Sequence, residues 1–265
     1  MTVAQGRRVG VVTGGTSGIG WSVAERLARE GVSVVVTGRD VARGEEVVDL
    51  IRSQGGTAEF VASEVSDISS MDNLAAETVT RLGVPSILVN AAGILQSGKK
   101  VLDQDAGENA RLWDVNYNGT LYACQIFGRL MRDQGRGSIV NIGSLASLAP
   151  LSLPAYTPGK AAVWSLTQIL AAELGPYGVR VNAVAPGYTL SDGLKAKIEQ
   201  GLRNPEEIKK TTALGKFVLP EDIAAAIWFL SSDQSASITG TILPVDAGWL
   251  VHAPYASYLR GNPVK

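Results

Sequence analysis

The sequence predicts an α/β fold, a doubly wound parallel sheet with helices on both faces, with residues 1–265 forming a single domain. Three observations carry that prediction. Short β-branched runs recur along the whole chain, stretches of helical periodicity lie between them, and the runs are apolar at consecutive positions, as strands covered on both faces require. Alternation of this kind closes through right-handed crossovers and gathers ligands at the carboxyl ends of the strands.

The elements follow in order. VGVVT (9–13) is the first strand, and the glycine-rich TGGTSGIG (13–20) leads from it into a helix from Trp21 to Glu30. VSVVVTG (32–38) is the second strand; Asp40 then stands where a cap is needed for a helix from Val41 to Gln54. A helix from Ser69 to Leu82, the strand ILVNAAG (87–93) and a long helix from Leu112 to Asp133 come next. SIVNIGS (138–144), a helix from Ala161 to Leu174, VRVNAVAPG (179–187), a helix from Pro220 to Ser231 and TILPVDAG (241–248) complete the pattern. Thr189 to Phe217 breaks the rhythm, being charged and poor in β-branched residues. A solvated helical pair would have this composition, but its position just after a strand's carboxyl end makes 189–217 a substrate-covering excursion. Residues 249–265 form a C-terminal tail.

Composition limits the function. With 45% hydrophobic and 18% charged residues the chain has the material for a sizeable core, and a net charge of -1 without long like-charge runs argues against nucleic acid. Cys124 is the only cysteine, so no intrachain disulfide forms, and its neighbours YACQIF make it a buried structural thiol. The opening MTVAQGRRVGVVTGG meets glycines before a signal-length apolar core, and no later stretch has eighteen unbroken apolar residues. The expectation is a cytoplasmic protein with small-molecule partners, no membrane and no metal.

TGGTSGIG joins a buried strand to a helix, and its glycines permit positive φ and close approach of backbone to a pyrophosphate at the helix N-terminus. That marks a Rossmann-type dinucleotide site, with Gly14, Thr16, Ser17, Gly18, Ile19 and Gly20 as cofactor contacts. No Gly-Lys-Ser or Gly-Lys-Thr closes the turn, which excludes a P-loop. At the end of the second strand TGRD places Arg39 where an acid would read the ribose of NAD, so Arg39 is read as holding the extra phosphate of NADP. A second basic residue just before Gly18 is missing. Methyltransferases share a glycine-rich first turn, yet usually carry an acid where this chain has Gly38 and Arg39.

With TGGTSGIG, NAAG (90–93), Asn116 in WDVNYNG, Ser144 in SIVNIGS, YTPGK (156–160) and APG (185–187) in this order, the chain resembles the short-chain dehydrogenase/reductase family from about Arg8 to Gly248. The resemblance implies a catalytic set of Asn116, Ser144, Tyr156 and Lys160 that moves hydride between a nicotinamide and a carbonyl or carbinol carbon. It also implies cofactor contacts at Asn90, Ala91, Gly93, Pro186, Gly187 and Thr189, and at Glu64 with Val65, where the family often has an aspartate beside the adenine. Tyr156 and Lys160 would touch the nicotinamide ribose, and the asparagine of the family anchors a water through which protons leave. A homotetramer is implied as well, with Trp249, Tyr255 and Tyr258 suiting an interface.

The chemistry fits the residues. A phenol with pKa about 10 is a poor base at neutral pH, and a cation one helical turn away favours the phenolate. Ser144 would bond the substrate oxygen as charge develops. Ala91 replaces an asparagine that usually ties neighbouring strands, which would loosen the strand ends. In YTPGK, Pro158 is tolerable only in a first helical turn, so the helix should begin at Tyr156 within two residues. Gly159 would leave room for ribose or a bulky substrate. Ile94, Leu95, Leu145, Leu151, Leu153, Tyr188 and Leu190 are the expected cleft lining, and His252 reads as a surface or interface residue. A dinucleotide-sensing protein without chemistry is the rival reading, against which the intact Ser144, Tyr156 and Lys160 speak.

Overall fold

Seven strands form one parallel sheet: β1 (Val9–Thr13), β2 (Ser33–Gly38), β3 (Ala58–Ala62), β4 (Ile87–Asn90), β5 (Gly137–Ile142), β6 (Val179–Pro186) and β7 (Ile242–Val245), ordered β3-β2-β1-β4-β5-β6-β7. The computed structural model describes residues 8–261, with side chains through residue 256. The reading of the first seven residues, of residues 262–265 of the C-terminal tail and of the Tyr258 side chain lies outside the described residues.

Successive residues on each strand serve opposite layers, because a strand alternates its side chains. Val12, Val34, Val36, Val89, Val140 and Val184 pack in one layer with residues of α1 (Gly18–Arg29), α2 (Val41–Ser53) and, further along the chain, α9 (Pro220–Ser231). Val11, Val35, Leu88, Ile139 and Val181 pack in the other, with residues of α3 (Ile68–Leu82), α5 (Gly119–Gln134) and α6 (Tyr156–Leu174). Burial on both faces is what makes these runs continuously apolar, and each fully buried valine or leucine adds roughly 1.5–3 kcal/mol.

β3 is absent from the sequence reading. It is an edge strand whose AEFVA includes Glu59, and that side chain stays outside the core, 2.9 Å from Arg52 and 3.7 Å from Arg81. A strand with one free edge needs no unbroken apolar run. The long helix expected from Leu112 begins earlier, as α4 (Ala106–Trp113) capped by Asp105, passes through a π-helical turn at Asp114–Asn118 and continues as α5. The excursion folds as α7 (Asp192–Glu199) and α8 (Pro205–Lys209), and the C-terminal tail is helical as α10 (Trp249–Gly261).

β1 and β4 are neighbours, with Thr13 opposite Asn90. The chain winds from β1 outward through β2 and β3, then returns to β4 and winds the other way. Loops at the carboxyl ends of β1 and β4 therefore part, and a crevice opens between them.

Candidate active site

A cleft of about 760 Å³ lies over this switch point. Its first wall is the turn after β1, lined by Gly14, Thr16, Ser17, Gly18, Ile19 and Gly20. Gly14 has φ 64°, and a methyl group there would stand 2.7 Å from the Ala92 backbone; one on Gly20 would collide with the Gly14 carbonyl. Only glycine lets the turn close against β4 and α1. Ser17 at the start of α1 makes no side-chain cap, and the first turn holds no acid. The leading N–H groups and the positive end of the helix dipole are thus left for an anion, which is what a dinucleotide pyrophosphate requires.

At the next strand end Arg39, Glu64 and Val65 line the cleft together, and Asp40 accepts the Arg43 N–H at 3.1 Å as the cap of α2. Arg39 Nη1 lies 3.5 Å from Glu64 Oε2, both side chains being well exposed, so this pair costs little to open. Arg43 also lines this corner and was not singled out from the sequence. Its signal was its place in the first turn of α2, which carries it beside Arg39. Ala91, Gly93, Pro186, Gly187 and Thr189 line the cleft as expected.

Three residues expected to touch the cofactor or line the cleft are not among its lining residues: Asn90, Leu190 and Lys160, the last being buried. Asn90 is buried in the sheet, where Nδ2 donates to Asn141 Oδ1 at 2.9 Å and to Cys124 Sγ at 3.3 Å. It ties β4 to β5, so the strand ends expected to loosen through Ala91 are held after all. Leu190 is half-buried outside the cleft, its N–H donating to the Val218 carbonyl at 2.8 Å beside the bridge between Thr189 and Val218.

The catalytic candidates converge. Ser144 follows β5, and its Oγ accepts the Ala146 N–H at 3.1 Å. Tyr156 is the first residue of α6, as the proline argument requires, and it lines the same cleft as Ser144, whose hydroxyl acts to lower the pKa of the phenol. Lys160 lies one turn further on, buried, its Nζ donating to the Ile142 carbonyl at 2.6 Å and standing 5.7 Å from the centre of the Tyr156 ring. Ser147, unremarked in the sequence, ties these parts: its hydroxyl donates to the Lys160 carbonyl at 2.8 Å and accepts the Ser144 N–H at 3.2 Å. A serine three residues after a serine at a strand end was the available signal.

Burial governs the titration of this pair. It pushes the Lys160 ammonium down to about 8, and it raises the Tyr156 phenol against the opposing effect of the Ser144 hydroxyl. The expected phenolate is therefore not favoured by the polypeptide alone, because desolvation leads and Lys160 is engaged by Ile142.

Asn116 occupies the π-helical turn. Its Oδ1 accepts the Ile94 N–H at 2.8 Å and its Nδ2 donates to the Ile94 carbonyl at 3.0 Å, while its own carbonyl accepts the Thr120 hydroxyl at 2.9 Å. A methyl on Gly93 would stand 3.2 Å from Asn116 Oδ1 and 4.0 Å from Lys160 Nζ, so these three groups are neighbours beneath the floor. Gly159 is not a lining residue, and a methyl there would meet no atom within 4 Å, so the room predicted for ribose is not on that face.

Ile94, Leu95, Leu145, Leu151, Leu153 and Tyr188 line the cleft as expected, with Gln96 and Trp249 in addition. From the excursion come Ser191, Asp192, Gly193, Leu194, Lys197 and Arg203. His252 on α10 is not a lining residue. Among the described residues no group of three or more histidine, cysteine or acidic side chains could hold a metal ion, and no helix is long and apolar enough to cross a membrane.

Comparison with known proteins gives a consistent result. The family described as enoyl-(acyl carrier protein) reductase matches residues 14–250. Galactitol 2-dehydrogenase of Rhizobium johnstonii is 38% identical over 242 residues, which are 90% of this chain and 93% of that one. A solved Brucella melitensis 16M protein described as ribose-5-phosphate isomerase is 39% identical with a TM-score of 0.89, covering 95% of this chain and 96% of its own. An actinorhodin polyketide ketoreductase variant solved with NADPH is 27% identical with a TM-score of 0.88, covering 92% and 97%. With the parallel sheet, the glycine turn and the serine, tyrosine and lysine assembled at one strand end, these matches place the chain in the short-chain dehydrogenase/reductase family, as a nicotinamide-dependent oxidoreductase.

Proposed function

We propose that this oxidoreductase prefers NADP(H) and interconverts a hydroxylated secondary alcohol and its ketone, with Tyr156 as general acid/base. The observation that carries the reading is the convergence of Ser144 and Tyr156 on one cleft, with the buried Lys160 Nζ 5.7 Å from the centre of the Tyr156 ring. The bound nicotinamide supplies or accepts the hydride. In the oxidative direction the phenolate of Tyr156 takes the hydroxyl proton; in reduction the phenol returns it to the carbonyl oxygen. Ser144 holds that oxygen by hydrogen bond. Lys160 keeps a positive charge under the phenolate, and Asn116 supports this arrangement by clamping Ile94.

NADP preference rests on Arg39, reinforced by Arg43 at the same corner. The leucines of the cleft meet the polar groups of the excursion, which suits a substrate of moderate size with more than one hydroxyl, as the galactitol relative handles. The excursion is read as a lid, the working molecule as a cytoplasmic homotetramer. Exposed Val251 and Tyr255, one turn apart on α10, support burial of that helix against another subunit.

Nicotinamide absorbance followed over a panel of polyols, alcohols and ketones tests the reading. Tyr156→Phe should lose roughly 10²- to 10⁴-fold in turnover and keep its affinity for the dinucleotide. Arg39→Ala should weaken NADP far more than NAD, and equal losses would overturn the cofactor assignment. Redox-neutral conversion without absorbance change would instead align the chain with the Brucella protein described as an isomerase.

A further inference from the structure

The proposed chemistry depends on where α6 starts, and α6 starts without a cap of its own. Ala155 occupies the cap position and offers no side-chain acceptor. Pro158, three residues on, has no N–H and cannot provide the reciprocal side chain of a capping box. Within the helix entrance, the Thr157 N–H donates to the Leu153 carbonyl at 2.8 Å and the Gly159 N–H to the Ala155 carbonyl at 3.3 Å. The N–H groups of Ala155 and of Tyr156 itself remain.

Both are satisfied from elsewhere in the chain. Gln96 Oε1 accepts the Ala155 N–H at 2.8 Å and the Tyr156 N–H at 2.9 Å. The orientation of this amide is fixed from its other side: Gln96 Nε2 donates to Gln104 Oε1 at 2.6 Å, and Gln104 Nε2 donates to Glu108 Oε2 at 3.0 Å. Glu108 in turn accepts the Ser97 N–H and the Ser97 hydroxyl, each at 2.7 Å. Side chains of α4 and of the loop before it thus aim one carbonyl oxygen at the two leading amides of α6. Gln96 also lines the cleft, so the loop that bounds the substrate space and the helix that begins with the phenol meet at this one side chain.

We infer that Gln96 is a positioning residue for Tyr156, a cap supplied by a distant loop of the same chain that sets where the phenol stands. The inference rests on the proposed role of Tyr156. Any acceptor of similar reach could serve, and a carboxylate would suit the positive end of the helix dipole, whereas an isosteric thioether could not accept two strong bonds.

The test compares Gln96→Met with Gln96→Glu. Gln96→Met should lower kcat roughly 10- to 100-fold, the cost of a misplaced reacting group, with KM for the dinucleotide unchanged. Gln96→Glu keeps an acceptor for both amides but loses the donor to Gln104 Oε1, so it should restore kcat in part. Exchange of the Ala155 and Tyr156 amide protons should accelerate in the methionine variant and return toward the original rate in the glutamate variant. Full kcat in Gln96→Met, equal losses in both variants, or a matching loss of dinucleotide affinity would overturn the inference. If the unaltered protein turns over no substrate, the proposed function fails, while the exchange rates of these two amides still decide whether Gln96 caps α6.

Discussion

Replacing Lys160 with methionine should stabilise the protein without cofactor at pH 7 while removing its turnover. The ammonium is buried, and burial lowers its pKa from 10.5 to about 8. At about 1.4 kcal/mol per pKa unit, keeping it charged at neutral pH costs about 3 kcal/mol. Methionine fills a similar volume but gives up the bond to the Ile142 carbonyl, worth about 1 kcal/mol, so the net gain should be about 2 kcal/mol. The sign of the pH dependence follows. Unfolded, the lysine holds its proton up to 10.5; folded, it releases it near 8, so between those values the unfolded state binds more protons and stability rises with pH. The methionine variant lacks that rise, and its advantage shrinks as the pH is raised through the window. Urea unfolding of both proteins at pH 7 and pH 9.5, at equal protein concentration and without dinucleotide, measures this. A methionine variant less stable than the original at pH 7, or one with the same pH dependence, would refute the reasoning.

Gly159→Ala should raise stability by about 0.5–1 kcal/mol, because the added methyl meets no atom within 4 Å and alanine is the better helix former. Thermal unfolding reads the gain, turnover should be unchanged, and a loss of stability would show that a neighbouring subunit packs at this face. Asn90→Ala should cost about 1–3 kcal/mol by removing the donor to Asn141, with dinucleotide affinity unchanged in a binding titration; a large loss of affinity would return Asn90 to the cleft. Cys124 should resist thiol reagents in the folded protein, since burial raises its pKa to about 12, and should react only as the chain unfolds; rapid labelling under native conditions would contradict its placement.

The sequence disclosed most strands because strands covered on both faces must be apolar at every position. β3 escaped for the complementary reason: an edge strand tolerates Glu59 and shows no such run. Tyr156, Ser144 and Lys160 were legible from spacing, since one helical turn and one strand end place them. Their titration was not, because spacing reports that a cation is near but not that Lys160 is buried or that desolvation outweighs the other influences on Tyr156. Asn90 shows a similar limit. The resemblance implied a cofactor contact there, while the register of β4 turns its side chain toward Asn141 and Cys124. The two bonds from Gln96 to α6 span 59 and 60 residues and depend on a loop without periodicity, so no local pattern announces them.

The π-helical turn at Asp114–Asn118 has a consequence for insertions and deletions. Such a turn is a helix accommodating one residue more than its ladder needs. Deleting one residue there would restore an unbroken spiral running from α4 into α5, leaving the flanking helices in phase but turning the residues of the π turn itself to new directions. Asn116 could then no longer reach both polar groups of Ile94 while α5 kept its packing. The clamp is thus written in the count of residues as much as in their identity, and a single codon's loss would undo it without changing one side chain at the reacting centre.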